Sequence, residues 1–410
     1  MGKKIFIIVL IVVIAIVIGS FFWIFSNIKD VPKGSSRGYT LSYLKSNINS
    51  GTYNDASINE HGSDVSAVLV LKDTVINNCT IEKTGDTSDI SKSDREGLNA
   101  TILVDQKNSA IVNDSNIVSN ASGASGVAVT TLGAVANVKN TEITTNGEYS
   151  KGLVACYGSR IKTEDVKIIT NGEKSAGVAT NAEDGDISIT NSEVTTNGLH
   201  SPGIVSKGEV VATDVKVVTD KSTALVVDGS GKIELISSDI ICGGNEGVKI
   251  FCSDIDVKND RTGNFIMNIG SIKTISGPIF NVSNTNATIK LRGVKIDNGN
   301  DIFMNVIRDT SGIDREKTID SSSGANVMME TSTQEFEGGI VVDEDCSLEL
   351  TLTYKSYFKG CINKDNTGKN VVLNVREGSI IELTDNCYVD TLYVSEDSKI
   401  IENGYKIITK

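Results

Sequence analysis

Residues 120–130 read NASGASGVAVT, 146–156 read NGEYSKGLVAC, 171–181 read NGEKSAGVATN and 197–207 read NGLHSPGIVSK. Laid under one another, they place Gly126, Gly152, Gly177 and Gly203 in one column, at separations of 26, 25 and 26 residues. A fifth copy, DKSTALVV from Asp220, continues the pattern with Ala224 in the glycine column and a shorter turn. A second glycine column follows at Gly133, Gly158, Gly185, Gly208 and Gly231. Self-similarity at such a period is the mark of a repeat architecture.

Each copy holds three short runs rich in Val, Ile and Thr, separated by Gly, Asn, Asp and Ser, as strands and turns require. The apolar positions do not recur at helical spacing. Three strands and three corners in ~25 residues make one coil of a parallel β-helix; leucine-rich repeats and propeller blades do not fit the Leu pattern or the period. Ile117, Ile143, Ile168, Val194 and Val217 share a column, and so do Ser119, Thr145, Thr170, Thr196 and Thr219 two positions on. The corner after them carries Asn120, Asn146, Asn171, Asn197 and Asp220. With coils stacked about 4.8 Å apart, identical side chains meet. Asn amides and Thr hydroxyls are thus expected to hydrogen-bond from coil to coil.

The pattern extends upstream to the strands Ala67–Lys72 and Thr101–Asp105, with a polar insertion near Asp86–Glu96. Downstream it passes Val248–Phe251 and Ile289–Arg292, breaks at the charged stretch 308–324, and resumes to the end. At the front, Ile5–Phe25 is a 21-residue run without a charge, long enough to cross a bilayer. Lys3 and Lys4 precede it, so the short end is expected inside and the bulk of the chain outside. No small-x-small cleavage site follows, which favours a retained anchor over a cleaved signal peptide. Leu41, Leu44 and Ile48 suggest a short cap helix between Thr40 and Gly51. The expected organisation is therefore a cytoplasmic tail (1–4), a transmembrane signal-anchor (5–25), and a tether with an N-terminal cap (26–65). A parallel β-helix (66–307), a loop insertion (308–324) and C-terminal coils (325–410) follow.

The whole chain has 410 residues, with 39 Lys+Arg against 52 Asp+Glu, a net charge of -13 and a pI near 4.8. That balance argues against a nucleic-acid partner, which needs clustered cations. Two histidines, His61 and His200, leave little for imidazole chemistry. Seven cysteines without a C-x-x-C pair give a zinc or dithiol reading no support, and read as small apolar residues in strands. No Walker-type or dinucleotide glycine loop is present.

The Asn and Thr columns, the glycine pairs and the repeat spacing resemble the right-handed parallel β-helix proteins of the pectate-lyase-like superfamily. Within it, the chain looks most like adhesin-like exported bacterial proteins, and the terminal IELTDNCYVDTLYVSEDSKIIENGYKI is similar to a closing motif of that group. The resemblance covers roughly residues 66–410 and implies an all-β, three-sheet solenoid; such proteins include adhesins, surface fibres and enzymes that cleave acidic polysaccharides.

Against an enzyme, the chain lacks the N-T-D, D-D and G-H-G motifs of polygalacturonases and keeps only their R-I-K tripeptide, at Arg160-Ile161-Lys162. Its one histidine-glycine step is Glu60-His61-Gly62. Two acidic turns, Glu183-Asp184-Asp186 and Asp343-Glu344-Asp345, invite a calcium reading but lack a calcium-binding repeat pattern. The aromatics Tyr149 and Tyr157 are too scattered for a sugar platform, and the N-x-S/T triplets at Asn99, Asn113, Asn120 and Asn281 read as turn chemistry. No catalytic, cofactor-binding or metal residue is assigned. The expected function is a membrane-anchored, single-pass, extracytoplasmic structural or adhesive rod, with a surface glycan or protein as ligand. The alternative is a polysaccharide-active enzyme or carbohydrate-binding module on the same fold.

Overall fold

A computed structural model describes residues 51–253, 261–309 and 324–410. The expected anchor at 5–25, the cap helix ending before Gly51 and most of the loop insertion lie outside these residues. Among the described residues, no helix is long and apolar enough to cross a membrane.

The chain is an all-β parallel solenoid of about 14 coils with roughly 24 residues each. At ~4.8 Å per coil this makes a rod about 65 Å long. Every strand pairing is parallel, and the register is the one the columns require: Ile117 faces Ile143, Ile143 faces Ile168, Ile168 faces Val194 and Val194 faces Val217. The coils start earlier than residue 66, because Gly51–Asn54 and Ser57–Glu60 already pair with Thr74–Asn77 and Thr80–Lys83. The polar insertion folds into a helix, Ile90–Glu96 (α1).

Each coil has a short first strand, such as Val127–Val129, then a second and a third, such as Val135–Lys139 and Glu142–Thr145. The first strands form an 11-stranded sheet. The second and third strands join one 20-stranded sheet, so the expected three separate sheets become two large ones, with smaller sheets toward the C terminus. The cause is the corner between them, which in four coils is crossed without a break, as in Asp186–Thr196 and Glu209–Thr219. A single left-handed residue makes that corner. Asp55, Asn78, Asp114, Asn140, Asp165, Asn191, Asp214 and Ser237 all have φ between 46° and 55°. Asn and Asp tolerate that conformation better than other non-glycine residues. Ile269 takes the same place with φ 63°, although a branched side chain is strained there.

Inward-facing Ile, Val, Leu and Ala fill one continuous core. Toward the C terminus it also holds an aromatic file, Phe265, Phe280, Phe303, Phe336 and Phe358, with centroids 5.5, 5.5, 4.7 and 4.6 Å apart.

The Asn ladder forms as expected: Asn146 donates to Asn120 at 2.6 Å, Asn171 to Asn146 at 2.6 Å and Asn197 to Asn171 at 2.7 Å. The Thr hydroxyls do not bond from coil to coil. Thr170 donates to the Ser175 carbonyl and Thr196 to the Ser201 carbonyl, both at 2.6 Å and within their own coil. In this column each hydroxyl turns to the carbonyl that closes its own corner, whereas the longer Asn amide spans the gap between coils. A buried serine ladder links the coils instead. Ser175 Oγ accepts from the Ser150 N–H at 2.9 Å and donates to the Gly147 carbonyl at 3.0 Å. Ser201 repeats this with Ser175 and Gly172.

Solvent decides the relative worth of the two ladders. Ser175→Ala leaves the buried Ser150 N–H unpaired and is expected to cost about 2–3 kcal/mol, while water replaces the exposed amide in Asn171→Ala at about 1 kcal/mol; urea titrations of both variants check the order. Ile269→Asn is expected to stabilise by about 1 kcal/mol, since it relieves the left-handed strain at an exposed site. An unchanged unfolding midpoint would show that the strain is absent.

Candidate functional site

Two concave surfaces stand out on the rod. One is a shallow groove along the left-handed corner, from Asn140–Glu142 to Ser237–Asp239. Its outer column alternates in charge: Glu142, Lys167, Glu193, Lys216 and Asp239. Lys167 lies 3.5 Å from Glu142, Lys216 lies 3.5 Å from Glu193, and Asp239 accepts from Ser271 at 2.5 Å. Beside it, Asn140 donates to Asp114 at 2.8 Å and Asn191 to Asp165 at 2.5 Å. These charges bind each other along the stack, and such exposed pairs fix register more than they add stability.

The second is a deeper cleft of about 740 Å³ where the third strand returns to the first, near the C-terminal end. Earlier coils fill this corner with residues such as 146–152. Here Gly338 alone separates Glu335–Glu337 from Gly339–Val342. Gly338 has φ 119°, and a Cβ on it would come within 2.9 Å of the Phe303 nitrogen, so the one-residue corner depends on glycine. The notch is walled by Asp301 on one side and by Cys361 and Lys364 on the other. Lys364 pairs with Asp385 at 3.5 Å. The carboxylates of Asp301, Glu337 and Asp365 form no ion pair or side-chain hydrogen bond among the described residues. A polar ligand can therefore meet three unengaged carboxylates in one concave place.

The residues singled out in the sequence are dispersed. Arg160 is exposed on a second strand and donates from Nε to Asp186 at 2.7 Å. Glu183 pairs with Arg261 at 2.9 Å, and Asp345 with Arg308 at 2.9 Å, so one carboxylate of each acidic turn meets a cation from elsewhere in the chain. No group of three His, Cys, Asp or Glu fit to hold a metal occurs among the described residues. His61 shares a hydrogen bond with Thr84 at 2.6 Å, far along the chain and the stack from His200. Tyr149 stacks under the Lys174 ammonium at 5.0 Å. Asn113 and Asn120 are ladder members, and Asn99 is buried under α1, holding the Gly85 carbonyl at 2.9 Å. All seven cysteines lie among the described residues, and no disulfide joins any of them. Burial pushes the thiols of Cys156 and Cys387 up to about 12 and that of Cys346 up to about 11, which makes them inert packing groups.

Lys83 escaped the sequence reading. It occupies the column of Thr145, Thr170 and Thr196, is fully buried, and donates from Nζ to the carbonyls of Gly62 at 2.7 Å and Gly85 at 2.5 Å. The ammonium thus does the hydroxyl's work of closing a corner. Its place one coil before the Ser119, Thr145, Thr170, Thr196 and Thr219 column was the available signal.

No protein-family model and no curated protein matches the sequence.

Burial lowers the Lys83 pKa from 10.5 to about 8, against the raising pull of Glu60, Asp86 and Asp64. The unfolded chain therefore holds the extra proton between about pH 8 and 10.5, so the stability that Lys83 withholds at neutral pH returns as pH rises through that window. The unfolding midpoint of the native chain is expected to rise there relative to Lys83→Thr, which restores the column residue. Parallel pH profiles for the two proteins would show that the lysine is not the titrating group.

Proposed function

We propose that this chain is a membrane-tethered, extracytoplasmic rod with a structural or adhesive role, built as a right-handed β-helix of the pectate-lyase-like kind. The observation that carries the reading is the engagement of its polar side chains with one another. Arg160, the acidic turns, the serine column and the alternating Glu/Lys column all serve contacts between coils. A rigid, repetitive surface about 65 Å long suits spacing and attachment. The apolar run Ile5–Phe25 supplies the tether in this reading, with the solenoid outside the cell membrane.

The cleft at Gly338 favours one part of the alternative. A carbohydrate-binding module needs a concave polar surface with unengaged groups, and Asp301, Glu337 and Asp365 provide them. It does not require the paired acid and base of a hydrolase.

The full-length protein in detergent, incubated with acidic and neutral polysaccharides with and without Ca²⁺, is expected to release no reducing ends or unsaturated uronides while being retained on a glycan or cell-surface array. Product release would establish an enzyme and end the structural reading. Extraction of the native protein from membranes by alkaline carbonate would remove the tether.

A further inference from the structure

The corner that leads into the first strand follows residues 120–126 in one coil and 146–152 in the next, but residues 84–101 in the coil before them. The longer connection leaves the rod's path intact. Thr87 N–H donates to the Ser122 carbonyl at 3.0 Å, and Thr101 N–H to the Ser125 carbonyl at 2.7 Å, so both ends sit where a short corner would. What lies between is an excursion over the outer face of the first sheet. Its feet are firm: Asp64 accepts from Thr87 Oγ1 at 2.9 Å and from the Ser88 N–H at 2.8 Å, and Asn99 accepts from the Val65 N–H at 3.2 Å while its amide holds Gly85.

Between the feet runs α1, capped by Asp89 and ended by Gly97 at φ 72°. Seven residues are too few for a helix to persist without docking. Yet the only buried residue of α1 is Ser93. The helix is attached through polar contacts: Ser93 to the Gly123 carbonyl, the Asp94 carboxylate to the Lys151 ammonium, and the Asp94 carbonyl to the Asn181 amide. Lys151 is buried while the Asp94 side chain stays 40% exposed, so the latch meets water on its outer side. Glu96 Oε2 is buried without a hydrogen bond among the described residues, and burial raises the Glu96 pKa, which disfavours the docked carboxylate.

Under this segment lies a small outward-facing apolar cluster. Ala128, Val154 and Ala179 stack from coil to coil, joined by Ala176 and Cys156, and meet Leu98 and Ala100 from the strap's foot. The hydrogen bonds that hold those coils, such as Val127 N–H to Gly152 and Leu153 N–H to Gly177, both 3.0 Å, do not involve the excursion.

We propose that residues 88–97 form a strap, latched by Asp94 on Lys151, that lifts off the first sheet as a unit and uncovers the Ala128–Val154–Ala179 strip while the coils beneath stay wound. A weakly docked segment is drawn from the low end of a protein's range of local stabilities, and the coils from the high end.

Cys156 reports the event, with Cys242 as a control in the solenoid core; both are fully buried. The full-length protein in detergent is pulsed with N-ethylmaleimide and modification is read peptide by peptide. In Lys151→Met and Asp94→Asn, Cys156 is expected to label at least tenfold faster than in the native chain, with Cys242 and the β-sheet dichroism unchanged. Cys156 labelling that stays at its native rate in both variants, or acceleration of Cys156 and Cys242 together, overturns the strap. Amide exchange on the native chain gives an answer that survives misfolding of the variants: residues 90–96 are expected to exchange at least tenfold faster than 127–129, and equal protection refutes local opening.

Discussion

Parallel stacking at a fixed height governs this molecule. Each coil must present the same kind of side chain at the same point as the coils on either side, because a slip of one residue would turn every inward Ile or Val outward. The register Ile143–Ile168–Val194–Val217 satisfies that constraint inside. The Asn ladder satisfies it at one corner and the left-handed Asp and Asn residues at another. A solenoid has no distant contacts to correct a local error, so its stability is close to a sum of neighbouring interfaces. Columns of identical residues are the cheapest way to make every interface good.

The same constraint bears on chemistry. A catalytic site needs unlike groups converging on one point, whereas stacking draws like or complementary groups into lines. Arg160 and Asp186 sit across adjacent strands and neutralise each other. Lys232 is shared by Glu209 and Glu234, at 2.8 and 2.9 Å. Charges held this way keep register and solubility, and leave few groups for a substrate. Departures from the ladder are therefore the informative places.

Much of the fold was legible because a period is visible without knowing any contact. The glycine, isoleucine and asparagine columns gave the coil and the register. The direction of the threonine hydroxyls was not legible: a column shows which residues are level with each other, but not that a carbonyl of the same corner lies nearer to each hydroxyl than the next coil does. The serine ladder lay in the same aligned segments, at Ser150, Ser175 and Ser201, and was overlooked because serine in a corner reads as ordinary turn composition. The fusion of second and third strands was hidden because one left-handed residue marks a corner in sequence without interrupting the sheet. Helix α1 is too short, and too polar, to carry a periodic signal. The cleft at Gly338 is made by residues missing from a corner, and an absence has no motif.

The strap and the cleft share an origin. The corner between second and third strands is fixed by a single left-handed residue in coil after coil up to Ser237, and lengthens by only a few residues in the last coils, as at Tyr354–Lys355; the interior is fixed by packing. The corner between third and first strands faces solvent on its outer side and already consumes several residues. It can therefore lengthen or shorten while the strands on either side keep their register, as loops on a rigid scaffold generally do. Lengthened at 84–101, it throws α1 across the first sheet; shortened to Gly338, it opens a notch between coils. The two features lie toward opposite ends of one row of corners, the one between third and first strands.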